Sequence, residues 1–328
     1  GGGPLSLVST HTYIFVADVI TQNVMSTSIT QHPTWGPQME DSLREIPTVS
    51  LVQNGSVSQT ESETSLELIF PDGTTGFQID CGVEHFGGHS INSPKKNMRM
   101  SFKKVYGASR LNYDLYGGDA AKDFDQIILR TGSHDNWFWT HPSGHGGVYV
   151  RGRWCFDRQL EAGNVAPRGR WVHVYLNGTY HGLHHLMERP NAAFMASYLG
   201  GEKENYEALN AGTPINGDKS TWNAMKGVLG DYQQLKTHMD VKNYADYMSS
   251  TAAAQRTCGR QSRPITNSNY CSPTARKNSS SMTACSPATA SSRRSTRSPR
   301  LSKNPSSPRP RDGAPTGRLT PGKDTSAR

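Results

Sequence analysis

The stretch RGRWVHVYLNGTYHGLHHLMERPNAAF, residues 168 to 194, constrains the fold more than any other part of the chain. Asn177-Gly178 divides two runs rich in β-branched and aromatic residues. A two-residue type I′ turn needs positive φ at both central positions, which Asn-Gly tolerates, so a hairpin is predicted here. With a regular loop, Tyr175 faces Tyr180, Val174 faces His181 and His173 faces Gly182. Val172, Val174, Leu176 and Leu183 then share one face, and Trp171, Tyr175 and Tyr180 share the other. Both faces are partly apolar, so the hairpin is expected inside a sheet covered on both sides. Gly182 is expected to make room for Trp171 or His173. Pro190 cannot donate to a ladder and biases Arg189 towards extended backbone. The chain therefore leaves the sheet at Glu188-Arg189-Pro190, as a hinge ahead of a helix.

The elements around the hairpin change character along the chain. Residues 5–20 read as one or two strands, and 40–55 contain a strand ending in a turn. In 65–88, Leu66, Leu68 and Phe70 alternate, Pro71-Asp72-Gly73 turns, and Phe77, Ile79, Cys81 and Val83 alternate again. Residues 95–107 form a strand with Met98, Met100 and Phe102 on one face, and 124–132 a short buried strand. Helical spacing appears at 146–164, with Gly163 as its C-cap, and then at 191–201, 220–229 and 241–250. Strands first and helices later predict an α+β protein with a sheet-rich first lobe and a helical second lobe.

Charge divides the chain near residue 249. Residues 250–328 carry 15 Lys+Arg against Asp312 and Asp324, whereas residues 1–249 carry 20 Lys+Arg against 25 Asp+Glu. The basic balance therefore belongs to the tail and implies no specific nucleic-acid partner for the rest. With 9 of the 19 prolines and no periodicity, the tail cannot bury enough apolar surface to offset its conformational entropy, and disorder is predicted. A basic arm, a genuine disordered extension and an out-of-frame translation all fit this composition. Its Arg/Pro/Ser/Ala bias favours the last. No charged-then-apolar leader is visible, and the longest apolar stretch, near Tyr13–Ile20, is far short of the ~20 residues that span a bilayer. Outside the tail only Cys81 and Cys155 remain, with no metal spacing and no disulfide framework.

Three segments resemble, in order, the family of the spore-coat protein H (CotH) kinases, which are atypical protein-kinase-like proteins. The first is GVEHFGGHSINSPKKNMRMSFKKVYGASRLNYDLYG (82–117) and the second IILRTGSHDNWF (127–138). The third is GRWVHVYLNGTYHGLHHLMERPNAAFMASYLGGEKENYEAL (169–209), where Asn177, Gly178, Tyr180, Gly182, Leu183, Leu186, Glu188, Arg189 and Pro190 fit the family form and Asn191 replaces its usual Asp. The resemblance spans roughly residues 65–250. It implies a protein-kinase-like two-lobed fold with an incomplete helical second lobe. The expected division is an N-terminal extension at 1–60, the kinase-like domain at 61–249 and the tail at 250–328.

The resemblance also implies ATP-dependent phosphorylation of Ser/Thr on a secreted, coat or surface protein, with ATP and Mg²⁺ as cofactors and an extracellular or cell-envelope location. Such chemistry needs a cover over the phosphates, a Lys on them, an acid orienting that Lys, and metal-binding and catalytic carboxylates. Gly87, Gly88 and Ser90 form the candidate cover, and Lys96 is the candidate nucleotide-contacting Lys. Asp157 and Glu161 are the candidate orienting acids, and Glu188 marks the hinge against the adenine. A plain turn, solvated lysines at a strand edge and ordinary helix-surface charges would account for the same residues.

Several positions depart from the family. Glu84 and Phe86 stand where relatives tend to carry Arg, and Gly152 where an Asp is common. The acids expected after residue 250 are absent, because TAAAQRTCGRQSRPITNSNY (251–270) contains none. An impaired kinase is therefore expected, with a non-catalytic surface or extracellular interaction module (a pseudokinase) as the alternative. The histidines suggest zinc only if they converge. Alternation puts His181 and His185 on one face and His173 and His184 on the other, so packing is expected and no metal site.

Overall fold

The computed structural model describes residues 10–132, 135–137, 147–210, 212–257, 274–276 and 282–283. Its organising element is a closed sheet of seven strands in the order β1-β2-β3-β4-β7-β9-β8. These are β1 (Thr48–Val52), β2 (Ser62–Ile69), β3 (Phe77–Phe86), β4 (Asn97–Ser101), β7 (Gln126–Arg130), β8 (Gly169–Leu176) and β9 (Thr179–Glu188). Two short strands, β5 (Leu111–Asn112) and β6 (Asp123–Phe124), pair with each other in the β4–β7 connection.

Alternation fills the barrel. Leu66, Leu68, Cys81, Val83, Met98, Met100, Ile127, Leu129, Val172, Val174 and Leu186 form one buried core with Val49 and Leu51. Burying each large aliphatic contributes about 1.5–3 kcal/mol. β1 closes the circle, antiparallel to β2 and parallel to β8, with Thr48 opposite Ile69 on one side and His173 on the other. Without β1, both β2 and β8 would present a free edge.

The N-terminal segment lies against this closure. The sequence pattern predicted strands over 5–20. The structure instead has α1 (Val16–Ile20), followed by α2 (Thr27–Thr30) and α3 (Met39–Arg44). The apolar residues there pack onto the hairpin, where Val19 and Leu43 bury against Tyr175, with Ile14, Val16, Ile20 and Tyr180 alongside. Gln22 mimics a strand partner, donating to the Gly178 carbonyl at 3.0 Å and accepting from the Tyr180 N–H at 2.8 Å.

α4 (Arg151–Glu161) packs on the outside of the barrel, where Phe156 and Leu160 meet Ile128 and Met187. It starts later than the helical spacing suggested, because Tyr149 takes a φ of +68°. Asp135 holds its first turn, accepting from the Val148 and Arg151 N–H groups at 3.0 and 2.9 Å. A carboxylate is favoured at that end by the helix dipole.

Beyond Pro190 come α5 (Ala192–Leu199), a hairpin of β10 (Tyr206–Asn210) and β11 (Thr213–Asn216), then α6 (Ser220–Gly227), α7 (Tyr232–His238) and α8 (Val241–Thr257). Asn191 caps α5 by accepting from Phe194 N–H at 2.8 Å. Two short strands, β12 (Thr274–Arg276) and β13 (Met282–Thr283), extend the β10–β11 sheet. The α+β expectation thus takes the form of a mixed fold whose sheet closes on itself. No described helix is long and apolar enough to cross a membrane.

Candidate functional site

The hairpin forms where the sequence placed it, with Asn177 and Gly178 at φ of +48° and +78°. Its pairing differs after Tyr180. The register shifts between Val174 and Tyr175, so that Tyr175 still faces Tyr180 but Val174 faces Gly182, His173 faces Leu183 and Val172 faces His184. His181 is the extra residue of a β-bulge, and Gly182, at φ +92°, makes the bulge possible. A one-residue slip exchanges the two faces of every residue that follows. His181 and His184 therefore lie together, with stacked rings 5.3 Å apart, and not on opposite faces. His185 turns to the outside beside Trp171 at 4.9 Å. His173 bonds the Tyr180 hydroxyl at 3.0 Å and the Ser42 carbonyl at 2.9 Å.

The group that crowds Gly182 is Lys95, neither Trp171 nor His173. A Cβ on Gly182 would stand 2.7 Å from Lys95 Nζ. Lys95 is buried and donates to the Leu183 carbonyl at 2.9 Å, and burial pushes its ammonium down to about 8. Lys96, its neighbour, is half-buried and lies within electrostatic reach of His85. Among the described residues it makes no ion pair with Asp157 or Glu161.

Those two acids are engaged within their own helix. Asp157 takes Arg153 at 2.6 Å, and Arg153 also donates to the Pro167 carbonyl at 3.0 Å. Glu161 takes Arg158. Both pairs are the i,i+4 or i,i+3 contacts a helix surface offers by itself.

Gly87 has a φ of +147°, and a Cβ there would stand 2.2 Å from Ser90 Oγ. Residues His89–Asn92 continue as a short 3₁₀ turn. Ser90 is buried and accepts from Asn97 Nδ2 at 3.2 Å. Asn97 Oδ1 in turn accepts from the Thr131 N–H at 2.9 Å. The candidate cover is thus stitched to the end of β7 through side chains.

Glu188 is buried at 1% exposure, and burial pushes its carboxyl up to about 7. Its two oxygens accept from the Tyr198 hydroxyl at 2.6 Å and the Arg168 N–H at 2.7 Å, while its own N–H donates to the Arg168 carbonyl at 3.1 Å. Arg189 stacks on Phe86 with its guanidinium carbon 4.3 Å from the ring centre, and Arg99 lies 5.1 Å from the same ring. Glu84 accepts from Arg99 Nε at 3.0 Å. The two positions that depart from the family thus hold the arginines on this face.

A crevice of about 10 Å³ lies beside Glu188 and Arg189, lined also by Asp123, Asp125, Gln126 and Phe194 among others. That is room for about one water, far below the about 300–1,000 Å³ of a typical small-molecule site. Of the candidate residues only Glu188 lines it. Gly87, Gly88, Ser90 and Lys96 lie at the other end of the strands. The register shows the separation: Met100, Ile127 and Glu188 share one level, while Met98, Leu129 and Leu186 lie two residues further on, towards Lys96 and His184. Four residues of strand separate Glu188 from His184, about 13 Å at 3.3 Å each.

Sequence reasoning missed Lys95, Gly182 as a bulge residue, and the arginines around Phe86. The available signal was Gly182 itself, since an isolated Gly within a strand pattern marks a bulge or a close approach.

No curated protein matches the chain. The family described as CotH kinase protein matches residues 83–257, from the end of β3 through α8. The match takes in the Gly87–Gly88 turn, both lysines, α4, the hairpin and Glu188-Arg189-Pro190, and extends over more than half of the 328 residues. The chain belongs to the CotH kinase family.

Proposed function

We propose that this chain is a nucleotide-binding, kinase-like domain whose capacity for phosphoryl transfer is impaired. In this reading the closed sheet is the first lobe, Glu188-Arg189-Pro190 the hinge, and α5 to α8 part of a second lobe. The base of ATP sits towards the hinge crevice and its phosphates towards Lys96 and the Gly87–Gly88 turn. Family membership supports this reading, as does the distance between those two levels of the sheet, comparable to a nucleotide from base to terminal phosphate. The acceptor is Ser/Thr on a secreted, coat or surface protein, at the cell exterior or envelope.

The observation that carries the impairment is where the carboxylates are. Asp231 accepts from the Gln233 and Gln234 N–H groups at the start of α7, and Asp240 from Asn243 N–H at the start of α8. Asp246 is engaged with Lys242 at 2.7 Å and Asn164 at 2.9 Å. Among the described residues no three His, Cys, Asp or Glu side chains converge as metal ligands. These residues do not fit Mg²⁺. The same observation favours the second reading, a non-catalytic interaction module, if nucleotide does not bind.

Thermal unfolding with and without millimolar ATP separates the two. A ligand that binds only the folded state stabilises it by mass action. ATP is expected to raise the midpoint of the wild-type chain by a few degrees, with the rise lost in Lys96→Ala and kept in the surface control Lys236→Ala. No rise in the wild type, or an equal rise in Lys96→Ala, contradicts nucleotide binding at this site.

A further inference from the structure

The end of the barrel near Gly182 gathers titratable groups, of which the kinase reading uses only Lys96. β9 supplies His181 and His184, β3 supplies His85, and the β3–β4 connection supplies Lys95 and Lys96. Thr131 Oγ1 lies 3.1 Å from the Lys95 carbonyl, Val172 stands opposite His184, and the Tyr149 hydroxyl donates to the Leu183 carbonyl at 3.1 Å. Among the described residues, the charges acting on His181 come from Lys95 and His85, those on His184 from Lys95 and His181, and the one on His85 from Lys96. None is a carboxylate.

The tautomer of His184 follows from its one bond. Nδ1 lies 3.1 Å from the Gly182 carbonyl oxygen, which can only accept, so Nδ1 carries the hydrogen. Nε2 is then a bare lone pair, fully buried and without a hydrogen-bond partner among the described residues. Protonation there would create a buried donor with no acceptor, beside an ammonium group and a second imidazole. One contact of Lys95, from Nζ to the Leu183 carbonyl, ties the connection to β9 in the middle of this cluster.

We propose that Lys95, His181 and His184 form an acid-sensitive latch, which holds the Gly87–Asn92 turn and its connection against the β9 bulge and releases them when the imidazoles take up protons. The sign follows from burial. His181 is pushed down to about 4 from an ordinary 6.5, and His184 is also pushed well down. The open hairpin therefore binds more protons than the closed one. The latch is complete above pH 6.5 and is lost as the pH falls from there towards about 4. It depends on neither nucleotide nor transfer.

Hydrogen exchange of the full chain, corrected for intrinsic rates, tests it. Peptides covering 87–97 report the latch and peptides covering 64–69 in β2 report global opening. Between about pH 7 and about pH 4.5 the opening of 87–97 is expected to rise more than about a thousandfold, ahead of β2, because two imidazoles take up protons on opening. In His181→Asn/His184→Asn that rise should fall below about tenfold, since Asn keeps an N–H donor and does not titrate. Lys95→Met should open 87–97 at neutral pH already. Exchange that is flat with pH, that tracks β2 throughout, or that remains wild-type in the double variant overturns the latch. So does full protection of 87–97 in Lys95→Met at pH 7.

Discussion

A chain begun at Ser58 is expected to have no folded monomer. It retains every residue of the family match and loses only α1 to α3 and β1. Yet β1 contributes Val49 and Leu51, at 1% and 0% exposure, to the barrel core. It also bonds to strands on both sides. Its removal uncovers two strand edges and the apolar interior between them, and exposed edges invite pairing with other chains. The loss is comparable with the whole stability of an ordinary domain, about 5–15 kcal/mol. Size-exclusion chromatography with light scattering should show aggregates in place of a monomer. A soluble monomer with cooperative unfolding would show that β1 is dispensable, and that the barrel is not one cooperative unit.

Gly182→Val should lower stability by about 3 kcal/mol. A β-branched residue at φ +92° stores about 1–3 kcal/mol of backbone strain. Its Cβ also displaces Lys95 Nζ, which leaves a buried ammonium without its acceptor at Leu183. For a domain of this size that corresponds to a fall of about 6–12 °C in the unfolding midpoint. Gly178→Val is a poorer comparison, because Gly178 also has positive φ but nothing near it. The informative control is Gly182→Val combined with Lys95→Met. If steric conflict with Lys95 matters, the pair should cost less than the sum of the single changes. A fully additive pair would leave backbone strain as the whole effect.

These two sites mark where the sequence was legible and where it was not. The Asn-Gly turn, the exit from the sheet before Pro190 and the inward residues of β2, β3 and β4 follow from local chemistry, and the structure has all of them. The alternation of Leu66 and Leu68 or Met98 and Met100 needs no knowledge of the partner strand. The faces beyond Tyr180 were not legible, because one extra residue at the bulge exchanges them while leaving the hydrophobic pattern almost unchanged. The closure by β1 was not legible either. A parallel pairing of residues 48–51 with 173–176 spans more than a hundred residues of chain and leaves no local mark.

The candidate site divides in the same way. Lys95 and Lys96 precede β4 in an irregular connection, so no strand alternation told which of them would be buried against β9. Asp157 and Glu161 were chosen for sharing a helix face. Arg153 and Arg158, four and three residues earlier, were visible in the same sequence as the helix's own cations. Glu188 ends β9, where the chain was expected to leave the sheet, and Tyr198 and Arg168 fix its carboxylate.

The central claim is that this family member keeps the frame of a nucleotide site without the acids that move the phosphoryl group. Incubation of the full chain with γ-labelled ATP, Mg²⁺ and a casein-like acceptor tests it most directly. The account predicts no label above background on the chain or the acceptor, even where ATP raises the unfolding midpoint. Label that accumulates with time and disappears in Lys96→Ala would contradict it.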